Sequence, residues 1–168
     1  MKVNLKFLVI FLVMLLIDQL TKFIFTNKNF KIFWIFEIKY STNPGLVFGL
    51  FANNLFFTIF LPVAIAILLF YFFIKKQIHW LGACLAISGL IGNIIDRIIF
   101  GYVRDFFFVK IAPAYNISLF NFADTVLVVG VFILLVSLFK QDIFPKKRVW
   151  VYSFPKFTLT IFSFHLFS

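Results

Sequence analysis

One cysteine, two histidines and six acidic residues are all that this 168-residue chain holds of those three kinds of chemistry-bearing side chain. Cys84 lies inside an apolar run, which excludes a disulfide framework or a cysteine metal cluster and leaves it as a small buried residue. His79 and His165 stand far apart, with no His-Glu-x-x-His pair for zinc, and no Gly-x-Ser-x-Gly turn marks a serine nucleophile. Serine, cysteine and metal mechanisms therefore lack their key parts, and neither a metal nor a cofactor is expected. No internal repeat or low-complexity segment stands out beyond a bias toward Phe and Ile. The net charge of +10 raises nucleic acid as a partner. Yet the Lys and Arg residues punctuate the gaps between apolar runs instead of forming a face of their own, which is a membrane topology signal.

What the chain does have is apolar surface: 63% of it is hydrophobic, with 29 Phe. This is wrong for an ordinary soluble domain and points to the bilayer as solvent. A spanning helix needs about 20 mostly apolar residues, and 55–74 supplies such a run without a single charge. Further spans are predicted over 7–25, 80–100 and 121–139. Lys2 and Lys6 ahead of the first run have the outline of a secretory signal, but no small-residue cleavage site follows, and Asp18, Thr21 and Lys22 continue the same helix. Nor does a cysteine follow soon after, so the chain is not itself expected to be lipid-modified. Placing the amino terminus in the cytoplasm puts nine of the 16 cations inside, from Lys2 and Lys6 through Lys75, Lys76 and Lys140 to Lys146, Lys147, Arg148 and Lys156. The other seven fall outside or at the outer boundary, and because the external connecting segments are longer, the bias per residue favours this orientation. Residues 1–148 are expected to form one integral-membrane domain, followed by a Phe-rich extension over 149–168 to which no role is assigned.

With that orientation the polar ends of three spans face the same side: Asp18 and Lys22, Asn93 to Arg97, and Asn121 to Asp124. Carboxylates kept where lipid begins are by default a functional-site hypothesis. Asp105, shortly after the third span, and Asp124, opening the fourth, are read as a catalytic pair. Two carboxylates held together share a proton near neutral pH, so that one can take a proton from water while the other stabilises the developing oxyanion. Asp96 is the rival for this role, but next to Arg97 it reads more economically as half of a structural ion pair. Asp18 and Lys22, four apart, read as a self-neutralising pair. Asn93 and Arg97 share a helical face and suit holding peptide carbonyls or ordering the dyad, while a bundle-stabilising polar network is the plainer reading. Gly89 and Gly92 allow close helix approach. A proton-relaying transporter would use the same carboxylates, but it needs polar residues through the full membrane depth, and the inner halves of all four spans are almost wholly apolar. A structural scaffold leaves the one-sided clustering unexplained.

Between the first two spans, Phe33 to Tyr40 mixes aromatic and β-branched residues with partial alternation and reads as strand. Asn43-Pro44-Gly45 is then a turn, returning the chain to the membrane through Leu46-Val47-Phe48. The predicted fold is thus an all-α membrane bundle of four spans with a small extracytoplasmic sheet between the first and second.

Five segments in order, Asp18-Gln19-Leu20-Thr21-Lys22, Asn43-Pro44-Gly45-Leu46-Val47-Phe48, Gly92-Asn93-Ile94-Ile95-Asp96-Arg97, Val103-Arg104-Asp105-Phe106 and Phe120-Asn121-Phe122-Ala123-Asp124, resemble the lipoprotein signal peptidases, or signal peptidase II. The resemblance covers residues 7–139. It implies a four-helix aspartic peptidase of the bacterial inner membrane, multi-pass and expected to act as a monomer, cleaving prolipoproteins before a diacylglyceryl-modified cysteine near the periplasmic face. By the same resemblance Asp105 and Asp124 are catalytic, and Asn43, Gly45, Asn93, Arg97 and Asn121 line the site or hold substrate. Asp18, Lys22 and Asp96 support it, membrane lipid surrounds it, and the cyclic peptide globomycin inhibits it. Pro44, Leu46, Val47 and Arg104 depart from the family's usual residues. Arg104 is expected to point away from Asp105, toward water or lipid headgroups, since a guanidinium beside Asp105 would lower its pKa.

Overall fold

The computed structural model describes residues 5–46, 51–52, 54–112 and 115–143. Val47, Phe48, the basic cluster at 146–148 and the extension over 149–168 lie outside the described residues. Four long helices and four strands follow in the order α1 (Leu5–Phe25), β1 (Asn29–Lys31), β2 (Phe36–Asn43), α2 (Leu55–Ile74), α3 (Trp80–Phe100), β3 (Val103–Ala112), β4 (Tyr115–Phe120) and α4 (Phe122–Ile143). Each helix contains a run apolar and long enough to cross a bilayer, and the protein is a multi-pass membrane protein. The 20 residues of α2 rise about 30 Å at 1.5 Å each, the thickness of a hydrocarbon core.

Local chemistry sets the helix ends. Asn54 accepts the Phe57 N–H at 3.3 Å and so caps α2. Gly101, at φ 82°, closes α3 in the left-handed conformation, which redirects the chain out of the bundle and into β3.

The bundle is built around α3, which packs against α1, α2 and α4. Its buried face is made largely of small residues, among them Gly82, Ala83, Cys84, Ala86, Ser88, Gly89 and Gly92. Close approach is the reason. A Cβ at Gly89 would collide with the Ala123 carbonyl oxygen of α4, and one at Gly130 of α4 would strike the Ala86 backbone nitrogen. At the other end Phe7 stacks on Phe73 at 4.5 Å, above Cys84 and Ile87. Large apolar side chains such as Leu16, Phe23, Phe56, Ile67, Ile98 and Phe132 point outward, as suits a surface solvated by lipid tails.

The small sheet is present as expected, but only half of it lies between α1 and α2. Its order is β1-β2-β3-β4, all antiparallel, and β3 and β4 come from the connection between α3 and α4. The strand read over 33–40 begins at Phe36, because residues 32–35 form the turn that joins β1 to β2: the N–H groups of Ile32 and Phe33 both donate to the Phe36 carbonyl. A bulge in β2 between Ile38 and Ser41 shifts the register so that Ser41 faces Asp105 and Asn43 faces Val103. That one extra residue brings Asn43 beside Asp105.

Overpacking at Gly89 separates α3 from α4. Gly89→Val is expected to cost about 1–3 kcal/mol and lower the thermal unfolding temperature in detergent, while the equally apolar change Ile98→Val on the lipid-facing side of α3 leaves it nearly unchanged.

Candidate active site

Asp124 stands in the first turn of α4, and Asn121 is the residue just ahead of that helix. The two form a reciprocal cap: the Asn121 side-chain oxygen accepts the Asp124 N–H at 3.0 Å, and the Asn121 N–H donates to Asp124 Oδ2 at 3.1 Å. Asp124 is therefore held by the same bonds that start its helix. Its other oxygen accepts the Asn93 side-chain amide at 2.8 Å.

Asp105 arrives from β3, five residues past the end of α3. Its Oδ1 accepts the Asn121 side-chain amide at 2.7 Å and its Oδ2 the Asn43 amide at 3.3 Å. Asn121 thus touches both carboxylates, and Asp105 and Asp124 meet at the same end of the bundle. Burial and the nearby Asp124 charge push Asp105 up to about 7, against the pull of the Asn121 and Asn43 amides and the Lys22 charge. Asp105 can therefore hold a proton near neutral pH.

Behind the pair lies a second buried set. Lys22 Nζ is 2.9 Å from Asp18 Oδ2, 3.6 Å from Asp96 Oδ2 and 2.9 Å from Asn93 Oδ1. The Asp18–Lys22 pair is the one read from its spacing. Asp18 also accepts the Ala123 N–H at 2.9 Å, placing a carboxylate on the amino-terminal end of α4, where the helix dipole favours it.

Two expectations need correction. Asp96 does not pair with its neighbour Arg97. Its partners are Arg104, at 2.8 Å from Asp96 Oδ1 and 3.1 Å from Oδ2, and Lys22. Adjacent residues on a helix point about 100° apart and do not face each other. Arg97 instead donates to the Gly45 carbonyl at 2.7 Å, pinning the turn that follows β2 onto α3. That turn is as predicted, closed by the Gly45 N–H on Asn43 Oδ1 at 3.0 Å. Arg104 does point away from Asp105, as neighbours on a strand must, but it goes into the protein and not toward water. Only 8% exposed, it lies 4.4 Å over the Phe100 ring and donates to Gln19 at 3.1 Å. Burial works against its charge, but the Asp96 bonds outweigh this and hold the guanidinium above its usual pKa.

Gln19 is a member of this set that single-residue reasoning passed over, since an uncharged residue beside Asp18 gives no signal by itself. It binds Asp18 at 2.9 Å, the Gly92 carbonyl at 3.2 Å and Arg104. Gly92 has a role beyond packing, because a Cβ there would sit 2.6 Å from Asp18 Oδ2.

The pair opens onto a groove of about 1020 Å³. Its rim carries Ser41, Asn43, Asn93, Arg97, Asp105 and Asp124, and its inner walls are Leu61, Pro62 and Ile65 of α2, Leu90 of α3, and Leu127 and Val128 of α4. Leu46 and Pro44, two of the departures, also line it. No cluster of His, Cys, Asp and Glu fit to hold a metal ion occurs among the described residues.

A four-span bundle carrying two amide-held aspartates beside an apolar groove defines the class, a membrane-embedded aspartic hydrolase. The comparisons give the family. Residues 10–140 match the family model described as signal peptidase (SPase) II. The chain is 39% identical over 139 residues to a lipoprotein signal peptidase of Moorella thermoacetica, covering 76% of this chain and 89% of that one. It is 36% identical over 161 residues to one of Syntrophus aciditrophicus, covering 82% and 96%. A bacterial membrane enzyme solved by the in meso method at 2.3 Å superposes with a TM-score of 0.76 at 28% identity, covering 85% of this chain and 93% of its own. The chain belongs to the signal peptidase II family.

Removing Asp96 would leave Arg104 buried without its main partner. Asp96→Ala is expected to cost about 3–5 kcal/mol, read as a large drop in thermal unfolding temperature, and Arg104→Met in the same background should recover part of that loss.

Proposed function

We propose that Asp105 and Asp124 are the catalytic pair of an aspartic endopeptidase that removes signal peptides from prolipoproteins, cutting before a diacylglyceryl-modified cysteine. The observation that carries this reading is Asn121, whose side chain and backbone hold carboxylates from two different elements at the mouth of an apolar groove. A transporter has no need for such a pair at one end of a bundle.

The proton shared by the two carboxylates divides the work. The ionised member draws a proton from water as the water attacks the scissile carbonyl, and the protonated member donates toward the oxygen on which charge develops. Proton return to the amine then releases the two products, with no covalent intermediate. Asn93 and Asn121 keep the carboxylates in register throughout. Arg97 lines the groove, and its buried Nε has no hydrogen-bond partner among the described residues, which suits it to a substrate carbonyl. Asn43 lines the groove beside Asp105, and Gly45 holds Arg97 through its carbonyl. Asp18, Lys22 and Asp96 keep the amino-terminal end of α4 and the start of β3 in place.

The apolar walls of the groove fit the signal-peptide segment and acyl chains, both of which reach the site from the bilayer without entering water. The charge bias of the connecting segments supports both termini in the cytoplasm of a bacterial inner membrane, with the site near the outer face. One chain supplies every member of the site, so the working unit is a monomer.

Purified protein incubated with a diacylglyceryl-modified prolipoprotein should release a signal-peptide-sized fragment, and globomycin should block it. Asp105→Asn and Asp124→Asn should each reduce the rate by at least about 100-fold while the protein still accumulates in membranes. Because the shared proton is lost as pH climbs past the raised pKa of Asp105, about 7, the rate should fall on the alkaline side. A rate still rising at pH 9 contradicts the assignment.

A further inference from the structure

A second cavity, of about 280 Å³, lies on the sheet and is lined by Ile32, Phe33, Phe36, Glu37, Phe107 and Phe120. Phe120 lines both this cavity and the catalytic groove. Phe107 follows Asp105 by two positions on β3 and therefore shares its face of the strand. It lies opposite Ile38 of β2 and Phe120 of β4, with the Phe107 and Phe120 rings 5.6 Å apart. The other wall is the turn between β1 and β2, where Phe33 is 66% exposed and Phe36 42%. The cavity that this exposed aromatic surface borders is lined almost wholly by apolar atoms.

We propose that this cavity is a specificity subsite for an apolar side chain of the substrate on the mature side of the cut, at the second or third residue after the scissile bond. The proposal rests on the peptidase reading above. Direction follows from the layout of the two cavities. The catalytic groove runs from the polar rim into the spans, where Leu61, Ile65, Leu90 and Leu127 suit the signal-peptide side. β3 runs the opposite way, from the end of α3 through Asp105 and out to Phe107. A substrate leaving the carboxylates along the sheet is the part that exits the membrane, which is the mature part. Two residues of extended chain cover about 7 Å, the same step that separates Asp105 from Phe107 on their strand. An acidic side chain at that place would be desolvated against aromatic rings with no cation among the lining residues, so the cavity selects for aromatic or aliphatic side chains and against carboxylates.

The test uses the full chain in detergent micelles with diacylglyceryl-modified prolipoprotein peptides that carry Phe, Ala or Asp in turn at the second, third and fourth residues after the cut. Phe at the second or third residue should give kcat/KM about tenfold above Asp, with the fourth indifferent. Phe33→Ser, at an exposed turn position outside the catalytic groove, and Phe107→Ala should flatten that preference while cleavage of the Ala peptides stays within about twofold. Equal rates for all peptides in the wild-type protein, or a preference that survives both substitutions, overturn the subsite and leave the peptidase reading standing. Failure to cut any peptide overturns the peptidase reading, and the subsite with it.

Discussion

Charge balance in a dry bundle end is the constraint on which the rest of this structure depends. Ionised side chains removed from water must find opposite charge or dense hydrogen bonding, and seven charged side chains converge here, six of them buried and the seventh, Asp124, half-buried. They fall into two sets. Asp18, Lys22, Asp96 and Arg104 form one, with two charges of each sign joined by short contacts. Arg97, Asp105 and Asp124 form the other, and it is neutral only when the two carboxylates share one proton. The protonation state that the proposed chemistry requires is therefore also the one that balances the second set. Asn93 is the joint between them, accepting from Lys22 and donating to Asp124. Its amide is oriented by this double duty: with its oxygen committed to a cation, its nitrogen must face the carboxylate.

Arg104 takes its meaning from the same balance. With an apolar residue there, the first set would hold two carboxylates against Lys22 alone. The guanidinium neutralises that excess, and through Gln19 and Phe100 it also ties the start of β3 to α1 and α3. Since side chains alternate along a strand, anchoring Arg104 inward on Asp96 obliges Asp105 to face the other way, toward Asn121 and Asp124. A residue that looked in the sequence like a threat to the acid pair helps to aim it.

Much of this was legible in the sequence, because lipid imposes simple rules. Apolar runs marked the four spans to within a few residues, and polar ends sorted to one side marked where the structure brings Asp105 and Asp124 together. What escaped was pairing over long separations. Val103 to Ala112 is a Phe-rich stretch with little alternation, and only its partnership with β2, some 60 residues earlier, makes it a strand. The half of the sheet that carries Asp105 therefore had no local signature. Ion pairing failed for a related reason. Asp96 and Arg97 are neighbours in sequence and diverge in space, whereas Asp96 and Arg104 are brought together by the left-handed turn at Gly101, which folds β3 back along the end of α3.

That turn and the glycines of α3 act on the same geometry from two directions. Gly89 admits the Ala123 carbonyl, so the first turn of α4 settles directly against α3, and Asn93, one helical turn beyond Gly89, then comes level with Asp124. Gly92 leaves the space in which the Asp18 carboxylate reaches the N–H of Ala123, the residue just before Asp124. A side chain at either position would displace the amino-terminal end of α4, and Asp124 and its partner Asn121 would move with it. A hydrogen bond such as that from Asn121 to Asp105, at 2.7 Å, tolerates only a few tenths of an ångström before it weakens. The absence of two side chains from α3 thus does as much to place the carboxylates as the amides that bind them.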